Sequence, residues 1–271
     1  MSFAPSIVTS PWTRRINRAR DLVERNPSSK QLLECYLHIL EFQHELYKGI
    51  AQHHVGPAAP DATALRQQIN LDDAAGHFSA LAYLVQRAGP PKLAETAKRL
   101  RGVTREQLGD LLSKVALGSD LDDENTFFAR VLLQPYAEHL TRTSDAKGTT
   151  VVGNKCPRCG GEPQLAVIRP EGDGGKRSLL CSFCQWEWEF RRIWCPACGE
   201  ENHEKLPRYS AEDIPAVRVE ACDSCKRYLK SIDLTVDGHA VPIVDEVATV
   251  PLDLWAVDQG YQKLKLNILG F

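Results

Sequence analysis

From Ser28 onward, the run SSKQLLECYLHILEFQHELYKGI places Leu32, Leu33, Tyr36, Leu37, Leu40 and Leu46 close to the spacing of one helical face. Upstream, Ser10 before Pro11 offers a cap and a first-turn proline for a helix through ARDLVER. HFSALAYLVQRAG predicts a third amphipathic segment, and PPKLAETAKRLRG and TREQLGDLLSKVALG predict shorter helices ended by Gly102 and Gly118. DDENTFFARVLLQPYAEHL predicts a last helix, starting at Asp122 or Asp123, where the acids Asp122, Asp123 and Glu124 suit a helix start. Pro135 lacks a backbone donor and is expected to kink or interrupt that helix. The pattern implies a bundle of about six helices, with the Gly/Pro-rich HHVGPAAPDA, His53 to Ala62, as a connection.

TRTSDAKGTTVVGNK, Thr141 to Lys155, is a polar transition, and beyond it the hydrophobic period becomes strand-like. QLAVIRP, SLLCSFC, WEWEFRRIW, AVRVEAC and RYLKSIDLTV read as strands, and EGDGGKR from Glu171 reads as a hairpin turn. The expected organisation is a mainly α helical bundle over 1–148, then a small β-rich domain over 149–271 with a short C-terminal helical tail.

Composition adds exclusions. With 43% hydrophobic and 25% charged residues, the 271-residue chain is typical of a soluble globular protein. A formal net charge of -2 gives no global attraction to nucleic acid or to a membrane surface. No apolar run approaches the roughly eighteen residues of a spanning helix. The N-terminus lacks the apolar core and small-residue cleavage site of a secretory signal, so a cytoplasmic protein is expected. Nine cysteines then suit metal ligation in a reducing compartment.

Eight of those cysteines form four Cys-x-x-Cys pairs: Cys156/Cys159, Cys181/Cys184, Cys195/Cys198 and Cys222/Cys225. The first and third have the form CPxCG; the second and fourth lack both proline and glycine. Twenty-one residues separate the first pair from the second, and twenty-three the third from the fourth. This is a tandem repeat, which predicts one site from the first two pairs and a second from the last two, in subsites 150–192 and 193–235. Each pair sets two sulfurs on one side of a tight turn, and two such knuckles supply tetrahedral S4 coordination. Zinc, a single rubredoxin-like iron and an iron–sulfur cluster all satisfy that ligand set. A shell filled by four thiolates suits a structural or redox role; catalytic zinc keeps an open position. Lys155, Arg158, Arg177, Arg191, Arg192, Lys226 and Arg227 stand near the pairs, where they can offset thiolate charge.

The remaining candidates are weaker. Trp186, Trp188 and Phe190 share one face of a strand, with Trp194 joining if the strand stays regular. They are expected to pack over the knuckles, an exposed platform being the alternative. His38, His44, His53, His54, His77 and His139 form no metalloprotease motif, and His203 is superfluous beside four cysteines. No Gly-rich nucleotide loop or nucleophile elbow occurs, so the chain is not expected to be an enzyme. Cys35 is expected in the core of the second helix.

CPRCGGEP, CSFCQWEWEFRRIWCPACG, EACDSCKRYLK and the closing VPLDLWAVDQGYQ…NILG together resemble the formate dehydrogenase accessory protein FdhE family. The resemblance spans essentially the whole chain. It is most specific at the cysteine pairs, at Tyr228 to Lys230 and at Pro251 to Asp253. It implies a cytoplasmic, chaperone-like accessory protein that contacts the catalytic subunit of a respiratory formate dehydrogenase before export. It also implies iron, two ions per chain, held by Cys156, Cys159, Cys181, Cys184, Cys195, Cys198, Cys222 and Cys225, with zinc as the alternative. The helical half would add contact area or a homodimer interface. Two rivals stay open: a nucleic-acid-binding zinc-ribbon protein, which needs a contiguous basic face, and a rubredoxin-type redox protein.

Overall fold

Ser10 caps the first helix, α1 (Pro11–Arg25), its hydroxyl accepting the Thr13 N–H at 3.1 Å. The computed structural model describes residues 10–53, 61–119, 121, 123–144 and 153–271. The connection around His54, the expected domain junction near 148 and a helix start at Asp122 lie wholly or mostly outside the described residues. The helical part continues as α2 (Lys30–His53), α3 (Ala62–Gln67), α4 (Leu71–Gly76), α5 (Phe78–Ala88), α6 (Pro91–Leu100), α7 (Arg105–Ala116) and α8 (Asp123–Thr143). The described residues thus hold two helices more than expected before the sheet. The additions, α3 and α4, have six residues each, too short to show an apolar period, and are capped by Asp61 and Asn70.

Helix α8 is the axis of the bundle, since every residue from Phe127 to Thr141 is buried. Pro135 does not interrupt it. A proline here deprives the Val131 carbonyl of its intrahelical donor, and Gln43 of α2 donates its side-chain amide to that carbonyl at 3.0 Å. A neighbouring helix therefore supplies the missing hydrogen bond. Arg15 of α1 adds a buried pair to α8, reaching both carboxylate oxygens of Glu138 at 2.8 and 3.0 Å.

The C-terminal part is built on one sheet. Its strands are β1 (Pro163–Glu171), β2 (Gly174–Cys181), β3 (Glu187–Glu189), β4 (Arg208–Ser210), β5 (Val217–Ala221), β6 (Arg227–Asp233) and β7 (Gln262–Lys263). Their order is β3-β2-β1-β6-β5-β4, with β7 also on β6. The β1/β2 hairpin turns at Gly172, whose φ of 55° favours glycine. Each repeat contributes antiparallel pairs, and the two join where β1 runs parallel to β6, Leu165 lying opposite Lys230. Two further helices, α9 (Pro242–Ala248) and α10 (Val250–Asp258), cover the sheet. Val244 and Val247 of α9 share a core with the bundle and the first repeat. Leu252 and Ala256 of α10 pack instead with Val217, Val219 and Ile232 of the second.

Arg130 of α8 ties these layers together. Its guanidinium donates to the carbonyls of Leu266, Asn267 and Ser182 at 2.8, 3.0 and 2.9 Å. Ser182 lies between Cys181 and Cys184, so the bundle axis is bonded directly to a cysteine knuckle.

Candidate metal centres

The eight paired cysteines gather into two clusters. In each, one sulfur per residue falls within 4.8 Å of the other three: Cys156, Cys159, Cys181 and Cys184 in the first, Cys195, Cys198, Cys222 and Cys225 in the second. Cross-knuckle sulfur separations are 3.6 Å for Cys156–Cys184, 3.4 Å for Cys159–Cys181, 3.8 Å for Cys195–Cys225 and 3.7 Å for Cys198–Cys222. A tetrahedron with metal–sulfur bonds of about 2.3 Å has edges of about 3.8 Å. The donor set and its spacing therefore fit a single tetrahedral ion in each cluster, zinc or rubredoxin-like iron. All nine cysteines are free of disulfide bonds.

The four knuckles use one backbone design. In the first, the Cys156 N–H donates to the Gly161 carbonyl and the Gly160 N–H to the Cys156 carbonyl, both at 2.8 Å. In the third, Cys195 donates to Glu200 and Gly199 to Cys195 in the same way. The turn requires positive φ just after its second cysteine, and Gly160 (67°) and Gly199 (80°) supply it. The second and fourth knuckles make the same turn without glycine: Gln185 has φ 58° and Lys226 φ 56°. Those two residues carry strain that glycine would avoid. Gly161 is needed for space instead, because a Cβ there would sit 3.0 Å from the Cys181 sulfur. Backbone N–H groups of Arg158, Phe183 and Ala197 point to the sulfurs of Cys156, Cys181 and Cys195 at 3.3 to 3.4 Å. Such contacts offset thiolate charge.

The two clusters differ in exposure. All four cysteines of the first are buried, whereas in the second Cys198 is exposed and Cys225 half-buried. In the first cluster, burial pushes the Cys181 and Cys184 thiols well up. Sulfur hydrogen bonds from Cys156, Cys181 and Cys184 bring the Cys159 thiol down. A bound cation would allow the remaining sulfurs to ionise, so loading is coupled to proton release.

Arg66 is the residue at the first centre that sequence reasoning missed. From α3 it donates to the carbonyls of Cys159 and Ala116, both at 2.5 Å, and lies 4.7 Å over the Phe183 ring. Arg158 covers Trp186 at 4.4 Å. Trp188 and Phe190 are buried, and Trp194 stacks on Phe190 at 5.2 Å although the strand ends at Glu189. The aromatic residues thus form a packed shell. Of the basic residues near the pairs, Arg177 binds Glu220, Arg191 binds Glu201 and Lys226 binds Asp223. No described histidine joins either cluster, and Cys35 is buried in α2.

Comparison with known proteins gives the same assignment from two directions. The family description "FdhE, central domain" matches residues 155–192, and "FdhE, C-terminal domain" matches 193–269. A protein described as an FdhE homolog from Aquifex aeolicus is 29% identical over 269 residues, covering 94% of both chains. One from Pseudomonas aeruginosa is 37% identical over 119 residues, 42% of this chain and 38% of its own. The crystal structure of the FdhE protein from Pseudomonas aeruginosa has the same fold, with TM-score 0.69 over 96% of each chain at 24% identity. With both cysteine repeats matched and a relative aligned along 94% of its length, the chain matches the FdhE (formate dehydrogenase accessory protein) family.

Proposed function

We propose that this protein assists the assembly or maturation of a respiratory formate dehydrogenase, binding its catalytic subunit in the cytoplasm, with one iron in each four-cysteine centre. The observation that carries this reading is the pair of closed sulfur shells. Cys156, Cys159, Cys181 and Cys184, and likewise Cys195, Cys198, Cys222 and Cys225, leave no position for a substrate at a tetrahedral ion. Such centres hold a surface rigid or pass electrons, and the likeness to the FdhE family supports the partner class. The acid-paired arginines at the ribbons give no support to a nucleic-acid interface.

The test has two parts. Elemental analysis and a visible spectrum on protein purified without added metal or chelator should give two irons per chain and a ferric–thiolate absorption. Two zincs and no colour would overturn the iron assignment. A tagged chain should capture the catalytic subunit of a formate dehydrogenase expressed beside it, and no capture from cells rich in that subunit would sink the accessory role. The exposure of Cys198 favours one second reading, a rubredoxin-type electron carrier. That reading predicts a reversible couple assigned to the second centre by its loss in Cys198→Ser.

A further inference from the structure

The first turn of α1, the last turn of α8, β1, the second knuckle and the start of α9 enclose a cleft of about 350 Å³. That size lies within the range of ligand pockets. Four arginines line it: Arg14, Arg15, Arg142 and Arg169. Arg15 and Arg142 share Glu138, and Arg169 binds Glu187. Four guanidinium groups against two carboxylates leave two positive charges. Arg14, which is exposed, makes no ion pair among the described residues. The thiolates of the first centre have their own arginines, Arg66 and Arg158.

Two buried polar side chains in the same wall have no hydrogen-bond partner among the described residues. Gln185 is 8% exposed, and neither its amide nitrogen nor its amide oxygen is hydrogen-bonded. Thr141, 2% exposed, has an unbonded hydroxyl. Unmade hydrogen bonds are costly in a protein interior. Gln185 bears a further penalty, since it occupies the positive-φ position that glycine fills in two of the other knuckles. A residue kept only for the turn would be glycine. An amide side chain offers a donor and an acceptor side by side, the complement of a peptide group. Its terminal torsion is soft enough to turn into the cleft. Trp186 adds an apolar wall.

We infer that this cleft binds a short peptide segment bearing a carboxylate, with the acid at Arg14 and Arg142 and the adjoining peptide group at Gln185. The inference deepens the proposed function, because the segment would belong to the partner protein. It does not depend on which metal fills the centres.

The experiment is calorimetric titration of the full-length, metal-loaded protein with acetylated, amidated Gly/Leu pentapeptides carrying one glutamate, glutamine or lysine. The glutamate peptide should bind one per chain, at least about tenfold more tightly than the other two, and should weaken with salt. Arg14→Gln and Gln185→Gly should each weaken it about tenfold. Gln185→Gly should also hold or raise the urea midpoint of the free protein, which a purely structural glutamine would not do. No binding of the glutamate peptide at millimolar concentration overturns the site, as does equal binding by both variants. Free glutarate binding as tightly as the peptide overturns the peptide assignment. Capture of the intact catalytic subunit, without any peptide binding, removes this site and leaves the accessory role standing. Peptide binding without that capture does the reverse.

Discussion

The Lys230 ammonium lies 2.5 Å from the Asp253 carboxylate, and both side chains are buried. The other oxygen of Asp253 accepts from the Tyr228 hydroxyl and from Lys263, each at 2.9 Å. Lys263 also binds Glu246. Strand β6, helix α10 and the C-terminal segment are thereby held by one buried ionic cluster. Asp253→Ala would leave two buried ammonium groups with one carboxylate. Breaking such a pair costs about 3–5 kcal/mol. Urea denaturation of the metal-loaded protein checks this, and an unmoved midpoint would contradict it.

The same cluster sets an acid limit. Burial opposes ionisation of Glu246, but Lys230, Lys263 and Asn267 outweigh it and hold the carboxyl at about 2, against an ordinary 4.5. Lys230 of β6, Lys263 of β7, Gln164 of β1 and Asn267 of the tail face it, with Asp253 sharing both lysines. The folded value is below the unfolded one. The contribution to stability is therefore complete above pH 4.5 and lost as pH falls from 4.5 towards 2. Urea midpoints across that window should fall more steeply in the wild type than in Glu246→Gln. Parallel curves would refute the assignment.

Unequal exposure of the centres predicts unequal lability. Under a mild chelator the second centre should empty first, because Cys198 and Cys225 are open to attack while the first centre is sealed. Cys198→Ser should lose one metal ion and keep the bundle, whereas Cys181→Ser should unfold the ribbon around the buried centre. Release followed with a metal-binding dye should be biphasic in the wild type. A single phase of two ions argues against the distinction.

Arg130→Ala should weaken the first centre from a distance. The substitution removes the donor to three carbonyls, including that of Ser182. An unmet buried acceptor costs about 1–3 kcal/mol, and water can reach some of these once the side chain is gone. A destabilisation of about 3 kcal/mol with faster dye-detected release is the expected result. Release at the wild-type rate would show that Arg130 does not support the knuckle.

Much of this architecture was legible in the chain. The CPxCG turns, the 21- and 23-residue excursions and the strand-like alternation after Lys155 are local properties. The long amphipathic helices likewise show their period. What escaped was short or remote. Strands β4 and β7 have three and two residues, too few to show alternation. Arg66 meets Cys159 across 93 positions, and Gln43 rescues the Val131 carbonyl across 88. Nothing in LRQQ or CQW marks Arg66 as a neighbour of the first centre or Gln185 as a positive-φ residue. Tyr228 to Lys230 and Pro251 to Asp253 stood out as motifs, yet only the fold shows that they exist to meet each other.

The parallel seam between β1 and β6 has a practical consequence. Leu165, Ala166 and Val167 are wholly buried on β1, and their backbone on that side is paired by residues of the other repeat. A fragment ending after residue 192 would present this apolar strand as an open edge, an invitation to intermolecular pairing. Neither ribbon can then be lifted out as an independent reagent. Dissection of the protein into separately studied metal-binding halves should yield aggregates, and inheritance of the repeat as an undivided pair follows from the same seam.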